Sequence, residues 1–194
     1  MANSGPTRFV VVGGTGSGKS TLASALAARH GVEHIELDGL WWRPGWAHIS
    51  AAELAEQVTA LLDDHDDGWV VDGNYLDDVG PLTVWPRAEV VIWLDLPRAV
   101  AFRRAVLRTI RRAATRQPLW DGHVVQSWKV LSPASVIALW HGWPSYANGI
   151  DAAIASGHAD ALQVVRLRSD AEVRAWLTSA AAARSTGEDT GEMP

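Results

Sequence analysis

Five short runs of bulky apolar residues recur along the chain, at 8–12, 33–37, 69–72, 90–95 and 163–167. Each is the length of a strand and is bounded by turn-forming residues, so each reads as a β-strand buried on both faces. The stretches between them repeat with helical spacing. The first helix is predicted over 19–30, with Gly31 as its C-terminal stop. Ser50-Ala51-Ala52-Glu53 is a capping box opening a helix to about Leu62, and Ser169-Asp170-Ala171-Glu172 is another, opening a helix to about Ala183. Pro97 starts a long helix that reaches about Arg116 and is broken by Gln117-Pro118. Residues 119–158 read as helical, punctuated by Pro133, Pro144 and several glycines. The aromatic stretch 40–46 is broken by Pro44 and Gly45 and reads as a loop or short helix. Residues 1–7 read as loose and 185–194 as disordered, being polar and poor in apolar side chains. Strands alternating with helices predict an α/β fold, a parallel sheet covered on both faces.

Ligands in such sheets bind beyond the carboxyl ends of the strands. The segment after the first strand, Gly13-Gly14-Thr15-Gly16-Ser17-Gly18-Lys19-Ser20 followed by Thr21, fits the phosphate-binding loop G-x-x-x-x-G-K-[ST] between a strand and a helix. Its glycines let successive backbone N–H groups turn inward onto phosphate oxygens, and the helix N-terminus adds its dipole. Lys19 would reach the β- and γ-phosphates and the Ser20 hydroxyl would ligate Mg²⁺. Asp38, Asp72 and Asp95 fall at the ends of strands two to four. Asp72 closes an apolar run in the manner of a metal-holding carboxylate, or else merely starts the Asp72-Gly73 turn. Asp95, before Leu96-Pro97, reads as a helix cap.

The long helix is two-faced. Arg104, Arg108, Arg111 and Arg112 fall on one side, and Ala99, Phe102, Val106, Ile110 and Ala113 on the other. Such an arginine face either is solvated or holds an anionic ligand that relieves its mutual repulsion. The acidic balance, a net charge of −5, argues against a general nucleic-acid surface. With 194 residues and 47% apolar content the chain is expected to form one domain. The absence of cysteine excludes disulfides and thiolate metal sites; no signal peptide and no membrane-spanning run is read, which together favours a cytoplasmic protein. The acidic run around His65 lacks the spacing of a calcium loop and reads as a surface turn. The eleven tryptophans are read chiefly as packing residues.

These motifs together resemble the adenylate-kinase-related P-loop kinases. The likeness is carried by the phosphate loop, Asp38-Gly39 with Arg43 after strand two, Val70-Val71-Asp72-Gly73 after strand three, and Leu94-Asp95-Leu96-Pro97 before an arginine-bearing helix. The run Leu37-Asp38-Gly39-Leu40-Trp41-Trp42-Arg43-Pro44-Gly45-Trp46, with Trp69-Val70-Val71-Asp72-Gly73-Asn74-Tyr75, is closer to the bacterial branch labelled "DNA topology modulation protein". The resemblance implies a three-layer P-loop NTPase fold with strand order 2-3-1-4-5, a helical lid over about 104–158, and ATP with Mg²⁺ as the phosphate donor. It also implies a small-molecule or nucleotide acceptor. Matching positions would set Arg104 against the adenine, Arg108 on a phosphate and Arg43 on an acceptor phosphate. Trp41 and Asn74 are further candidates for the acceptor side. An ATP-binding regulatory or nucleic-acid-associated protein with weak hydrolysis is the alternative.

One departure bears on the acceptor. Adenylate kinases follow Asp-Gly-Phe-Pro with an arginine for the acceptor nucleotide, whereas here the segment is Asp72-Gly73-Asn74-Tyr75-Leu76. A monophosphate is already anionic and would be repelled by Asp38, unless Arg43 compensates; a hydroxyl could be oriented and deprotonated by it. Asp38 therefore points toward an alcohol acceptor, with Trp41, Trp42 and Trp46 as candidate walls. The competing reading makes Asp38 a turn residue and the tryptophans core.

Overall fold

The computed structural model describes residues 5–75, 79–116, 118–119, 124–125, 132, 140 and 147–188. In chain order the elements are β1 (Arg8–Gly13), α1 (Lys19–His30), β2 (Glu33–Glu36), α2 (Leu37–Trp41), β3 (Trp42–Arg43), a 3-10 turn (Pro44–Trp46), β4 (Ala47–His48), α3 (Ala51–Asp64) and β5 (Trp69–Asp72). A π-helical turn (Gly80–Val84), a 3-10 turn (Trp85–Arg87), β6 (Val90–Leu94), α4 (Arg98–Thr115), β7 (Pro118–Leu119) and β8 (Val124–Val125) follow. A second π-helical turn (Ile154–His158), β9 (Gln163–Leu167) and α5 (Asp170–Glu188) complete them.

Five strands form one parallel sheet in the order β2-β5-β1-β6-β9, which is 2-3-1-4-5 when these five are counted alone. The α/β class and strand order expected from the sequence are the ones observed. Alternation along each strand sorts the core into two layers. Val10, Val12, Trp69, Val71, Val91 and Trp93 face one side, where they meet Leu54, Val58 and Leu62 of α3 together with Trp85. Phe9, Val11, Val70, Val90, Ile92 and Leu94 face the other, against Leu22, Ala23, Leu26 and Ala27 of α1. Val173, Trp176 and Leu177 of α5 pack against that second layer. The register aligns the carboxyl ends: Glu36 lies beside Asp72, Asp72 beside Val11, and Gly13 beside Leu94. That edge carries the phosphate loop.

Several local expectations change. Strand two ends at Glu36, and Asp38 lies in the first turn of α2 rather than at a strand end. Thr7, read as loose, is pinned: its N–H donates to Glu89 Oε2 at 2.7 Å, and its carbonyl accepts from the Trp69 N–H at 2.9 Å. Asp95 does not cap α4, whose N-terminus has no side-chain cap; it pairs with Arg166 and Arg168 on and beside β9. Residues 118–125 include a short antiparallel pair where helix was expected, because Pro118 opposes helix and Val124-Val125 is β-branched. The last helix continues to Glu188, past the expected start of disorder at Ser185, since the alanine run 180–183 propagates helix well. Residues 189–194 and, within the expected lid, 117, 120–123, 126–131, 133–139 and 141–146 lie outside the described residues. Among the described residues no helix is long and apolar enough to cross a membrane.

The face of α4 also differs. Its buried residues are Ala101, Ala105 and Ala113, whereas Ile110, expected to be inward, is 40% exposed. The helix lies so close to the phosphate loop that a Cβ on Gly16 would fall 2.2 Å from Ala101 O and 3.0 Å from Ala105 Cβ. Arg108 continues the Ala101–Ala105 stripe by helical spacing, and with Arg104 it lines the cleft beside Gly16–Gly18.

Leu54 is fully buried between α3 and the sheet. Leu54→Ala is expected to lower unfolding free energy by about 2–5 kcal/mol, through lost burial and a residual cavity. Urea unfolding at equilibrium measures it; a loss below about 1 kcal/mol would contradict this packing.

Candidate active site

The phosphate loop is shaped by its backbone. Gly16 has φ 84° and Gly18 φ 97°, left-handed values that side chains adopt at a cost. The Ser17 N–H donates to Gly14 O at 3.1 Å, tightening the curl around Thr15. Gly18 caps α1 without a side chain, so no side-chain cap occupies the first-turn N–H groups. The Ser17 hydroxyl is buried, with no hydrogen-bond partner among the described residues. A buried, unpartnered hydroxyl inside a glycine-rich curl at a helix N-terminus fits a phosphate ligand.

Lys19 crosses beneath the loop, its ammonium donating to Gly13 O at 2.8 Å. Burial pulls its pKa down; the carboxylates Asp38, Asp72 and Glu36 oppose that pull, while the Arg108 cation adds to it. The Arg108 pKa is likewise pulled down by burial and by Arg112, against Asp38 and Glu36. Two cations from α1 and α4 and three carboxylates from the ends of β2, α2 and β5 thus share one field.

Ser20 Oγ donates to Glu36 Oε1 at 3.5 Å. Asp72 is 2% exposed, and its Oδ1 lies 3.2 Å from His34 Nε2, a contact that raises the His34 pKa. Among the described residues no three His, Cys, Asp or Glu side chains are grouped so as to hold a metal by themselves. Mg²⁺ in phosphate sites needs only one or two protein ligands, the rest being phosphate oxygens and water. The hard-oxygen set of Ser20, Asp72 and Glu36 fits that requirement.

On the other flank, Tyr75 OH donates to Asp38 Oδ1 at 2.9 Å. Asn74 Oδ1 accepts from the Gly13 N–H at 3.0 Å, so the side chain expected at the acceptor is bonded to the phosphate loop. Arg43 donates to Leu40 O at 2.8 Å and Trp42 O at 3.2 Å, bracing its own turn. Trp41 stacks flat on His48, with ring centroids 4.6 Å apart at 7°, and lies 5.5 Å from Tyr75. Trp42 meets Trp46 edge-on.

Behind the loop a cleft of about 430 Å³ is lined by Thr21, Leu22, Leu94, Arg104, Arg108 and Asp170, among others. Arg104 and Asp170 form a two-pronged ion pair, its first contact at 3.0 Å; their hydrogen bonding holds the Asp170 pKa down and lifts that of Arg104. Sequence reasoning did not single out Glu36, His34, Tyr75 or Asp170. The Glu36-x-Asp38 spacing was a usable signal for the first, whereas Asp170 was absorbed into a capping box.

The close approach of α4 makes a discriminating test. A Cβ on Gly16 would meet Ala101 O at 2.2 Å, whereas one on Gly18 would meet nothing within 4 Å. Both alanine variants carry a left-handed backbone penalty of about 1–2 kcal/mol, and Gly16→Ala adds the clash. Thermal unfolding is expected to show Gly16→Ala clearly less stable than Gly18→Ala; equal melting temperatures would contradict the packing of α4 on the loop.

No protein-family model matches the chain, and no curated protein matches it. Among solved structures, a shikimate kinase from Acinetobacter baumannii in complex with shikimate aligns over 97% of this chain and 98% of its own, with a TM-score of 0.56 at 12% identity. At that identity the likeness is one of fold: the parallel five-stranded α/β architecture is shared with that structure.

Proposed function

We propose that the protein is an ATP- and Mg²⁺-dependent phosphotransferase whose acceptor is a small hydroxyl-bearing molecule. The observation that carries this reading is the placement of Asp38 in the first turn of α2, held by the Tyr75 hydroxyl at 2.9 Å, within the field of Lys19 and of Arg108, which lines the cleft with Gly16–Gly18. Asp72 and Glu36 suffice for the metal of a bound nucleotide, so the third carboxylate, Asp38, is left to serve an acceptor. The neighbour of like fold is a kinase in complex with the small molecule shikimate, which supports a small-molecule acceptor here. The likeness to the branch labelled "DNA topology modulation protein" belongs to the same proposal and rests on the Leu37–Trp46 and Trp69–Tyr75 motifs.

The loop amides, Ser17 and Lys19 bind the phosphates of ATP, and Arg104 and Arg108 contact the nucleotide from the cleft. Ser20, Asp72 and Glu36 hold Mg²⁺, which supplies neutralisation of phosphate charge. Asp38 orients the acceptor hydroxyl and accepts its proton as the acceptor oxygen bonds to the γ-phosphorus. The bond from that phosphorus to the bridging oxygen breaks, and ADP leaves with the electron pair. Lys19 and Arg108 stabilise the charge that spreads over the transferring group.

Lys19→Ala is expected to lower ADP release by about 10²-fold or more while the melting temperature holds, because Lys19 serves phosphates rather than core. ADP release at the wild-type rate from a folded variant would overturn the assignment. Replacing Arg104 and Arg108 together with Gln is expected to weaken ATP binding about ten-fold or more in calorimetry; unchanged affinity would leave them a solvated face. Across a panel of sugars, nucleosides, small alcohols and nucleoside monophosphates, Asp38→Asn is expected to cut hydroxyl transfer by about 10²-fold. Robust transfer to a monophosphate, indifferent to Asp38→Asn, would sink the hydroxyl acceptor.

A further inference from the structure

The turn after β5 touches both halves of the site. Asn74 accepts from the Gly13 N–H at 3.0 Å, at the entry to the phosphate loop. The next residue, Tyr75, donates its hydroxyl to Asp38 Oδ1 at 2.9 Å. Two successive side chains therefore set the spacing between the phosphate end and the acceptor end.

Tyr75 is held for this task. Its backbone carries φ 29°, a positive value uncommon for a bulky residue and one that persists only where surroundings enforce it. Its carbonyl accepts from the Gly80 N–H at 2.8 Å, tying it to the π-helical turn. Its ring lies 5.5 Å from Trp41 and packs on the core layer below. Trp41 is in turn covered by His48 at 4.6 Å. The hydroxyl thus sits at the end of a ring that backbone and stacking both fix.

We infer that Tyr75 is a positioning residue for the acceptor carboxylate: its hydroxyl occupies Asp38 Oδ1 and leaves Oδ2 to take the acceptor's O–H. This rests on the reading of Asp38 given above. An unrestrained carboxylate on a short helix could rotate and present either oxygen to Lys19 or Arg108. With Oδ1 bonded to the phenol, rotation costs a charge-assisted hydrogen bond. In the transfer step the acceptor's proton passes to Oδ2 as its oxygen bonds to phosphorus and ADP departs. The Tyr75 proton stays on the phenol throughout. Positioning of this kind acts on the chemical step and leaves nucleotide binding alone.

Water is the smallest hydroxyl acceptor, so slow ADP release from ATP and Mg²⁺ without added acceptor reads the carboxylate directly. Wild type, Tyr75→Phe, Asp38→Asn and the double variant are compared by steady-state kinetics, with melting temperature and ATP calorimetry on each. Tyr75→Phe keeps the ring and its stacking and loses only the hydroxyl. The expected result is a kcat about ten-fold lower, the loss of one charge-assisted hydrogen bond, at unchanged KM for ATP and unchanged ATP affinity. Asp38→Asn lowers kcat further, and the double variant is no slower than Asp38→Asn alone, because Tyr75 acts through Asp38. Additive losses in the double variant would overturn the inference, as would wild-type kcat in Tyr75→Phe while Asp38→Asn is slow; both leave the proposed function standing. Wild-type kcat in Asp38→Asn would instead remove the acceptor carboxylate itself, and this inference with it.

Discussion

Lys19 is an ammonium held under a loop at the edge of a buried sheet, and the rest of the site follows from the need to hold it there. Burial works against its charge. The compensation comes from carboxylates at the ends of neighbouring strands and at the start of α2: Asp72, Glu36 and Asp38. Those residues reach Lys19 because the strand order puts β1 beside β5 and β5 beside β2. A cation at that edge attracts phosphate, and carboxylates around it attract Mg²⁺ and polarise a hydroxyl. The same charges that make the lysine tolerable are the ones the proposed transfer requires.

The opposite wall is set by sterics. α4 approaches the loop at Gly16 closely enough to exclude a side chain there, and it does so through Ala101 and Ala105. That contact fixes the azimuth of the helix. Arg108 then lines the cleft beside Gly16–Gly18, while Ile110 is left at the surface. Small residues at one contact therefore decide where a cation sits one turn later. The turn at Asn74 and Tyr75 makes the corresponding link on the other flank, between Gly13 and Asp38.

Much of this was legible in the sequence. The phosphate loop, with Lys19 and Ser20, follows from a motif whose spacing is dictated by the curl it must make; Asp72 is marked by the apolar run it closes, and the strand order is implied by the resemblance to adenylate-kinase-related kinases. The apolar runs gave the strands because burial on both faces demands unbroken bulky residues. What was not legible depends on tertiary contact. Ile110 has the right period for an inward face, and only the closeness of α4 to Gly16 turns it outward. Asn74 reads as an acceptor residue from its place in a motif, yet its oxygen serves the Gly13 amide. Tyr75 and His34 gain their roles from partners 37 and 38 residues away in the chain. No local pattern announces such pairs. The tryptophans were ambiguous for the same reason: composition cannot tell a face covered by His48, as at Trp41, from one left open to a ligand.

The central claim is transfer of the γ-phosphoryl group of ATP to a hydroxyl at the carboxyl edge of this sheet. Phosphorus NMR of the protein with ATP, Mg²⁺ and a mixture of small polyhydroxylated molecules tests it most directly, because esterified and free phosphate resonate apart. The account predicts a growing phosphate monoester signal matched by ADP. Conversion of ATP only to ADP and inorganic phosphate, with no ester from any hydroxyl acceptor, would contradict it.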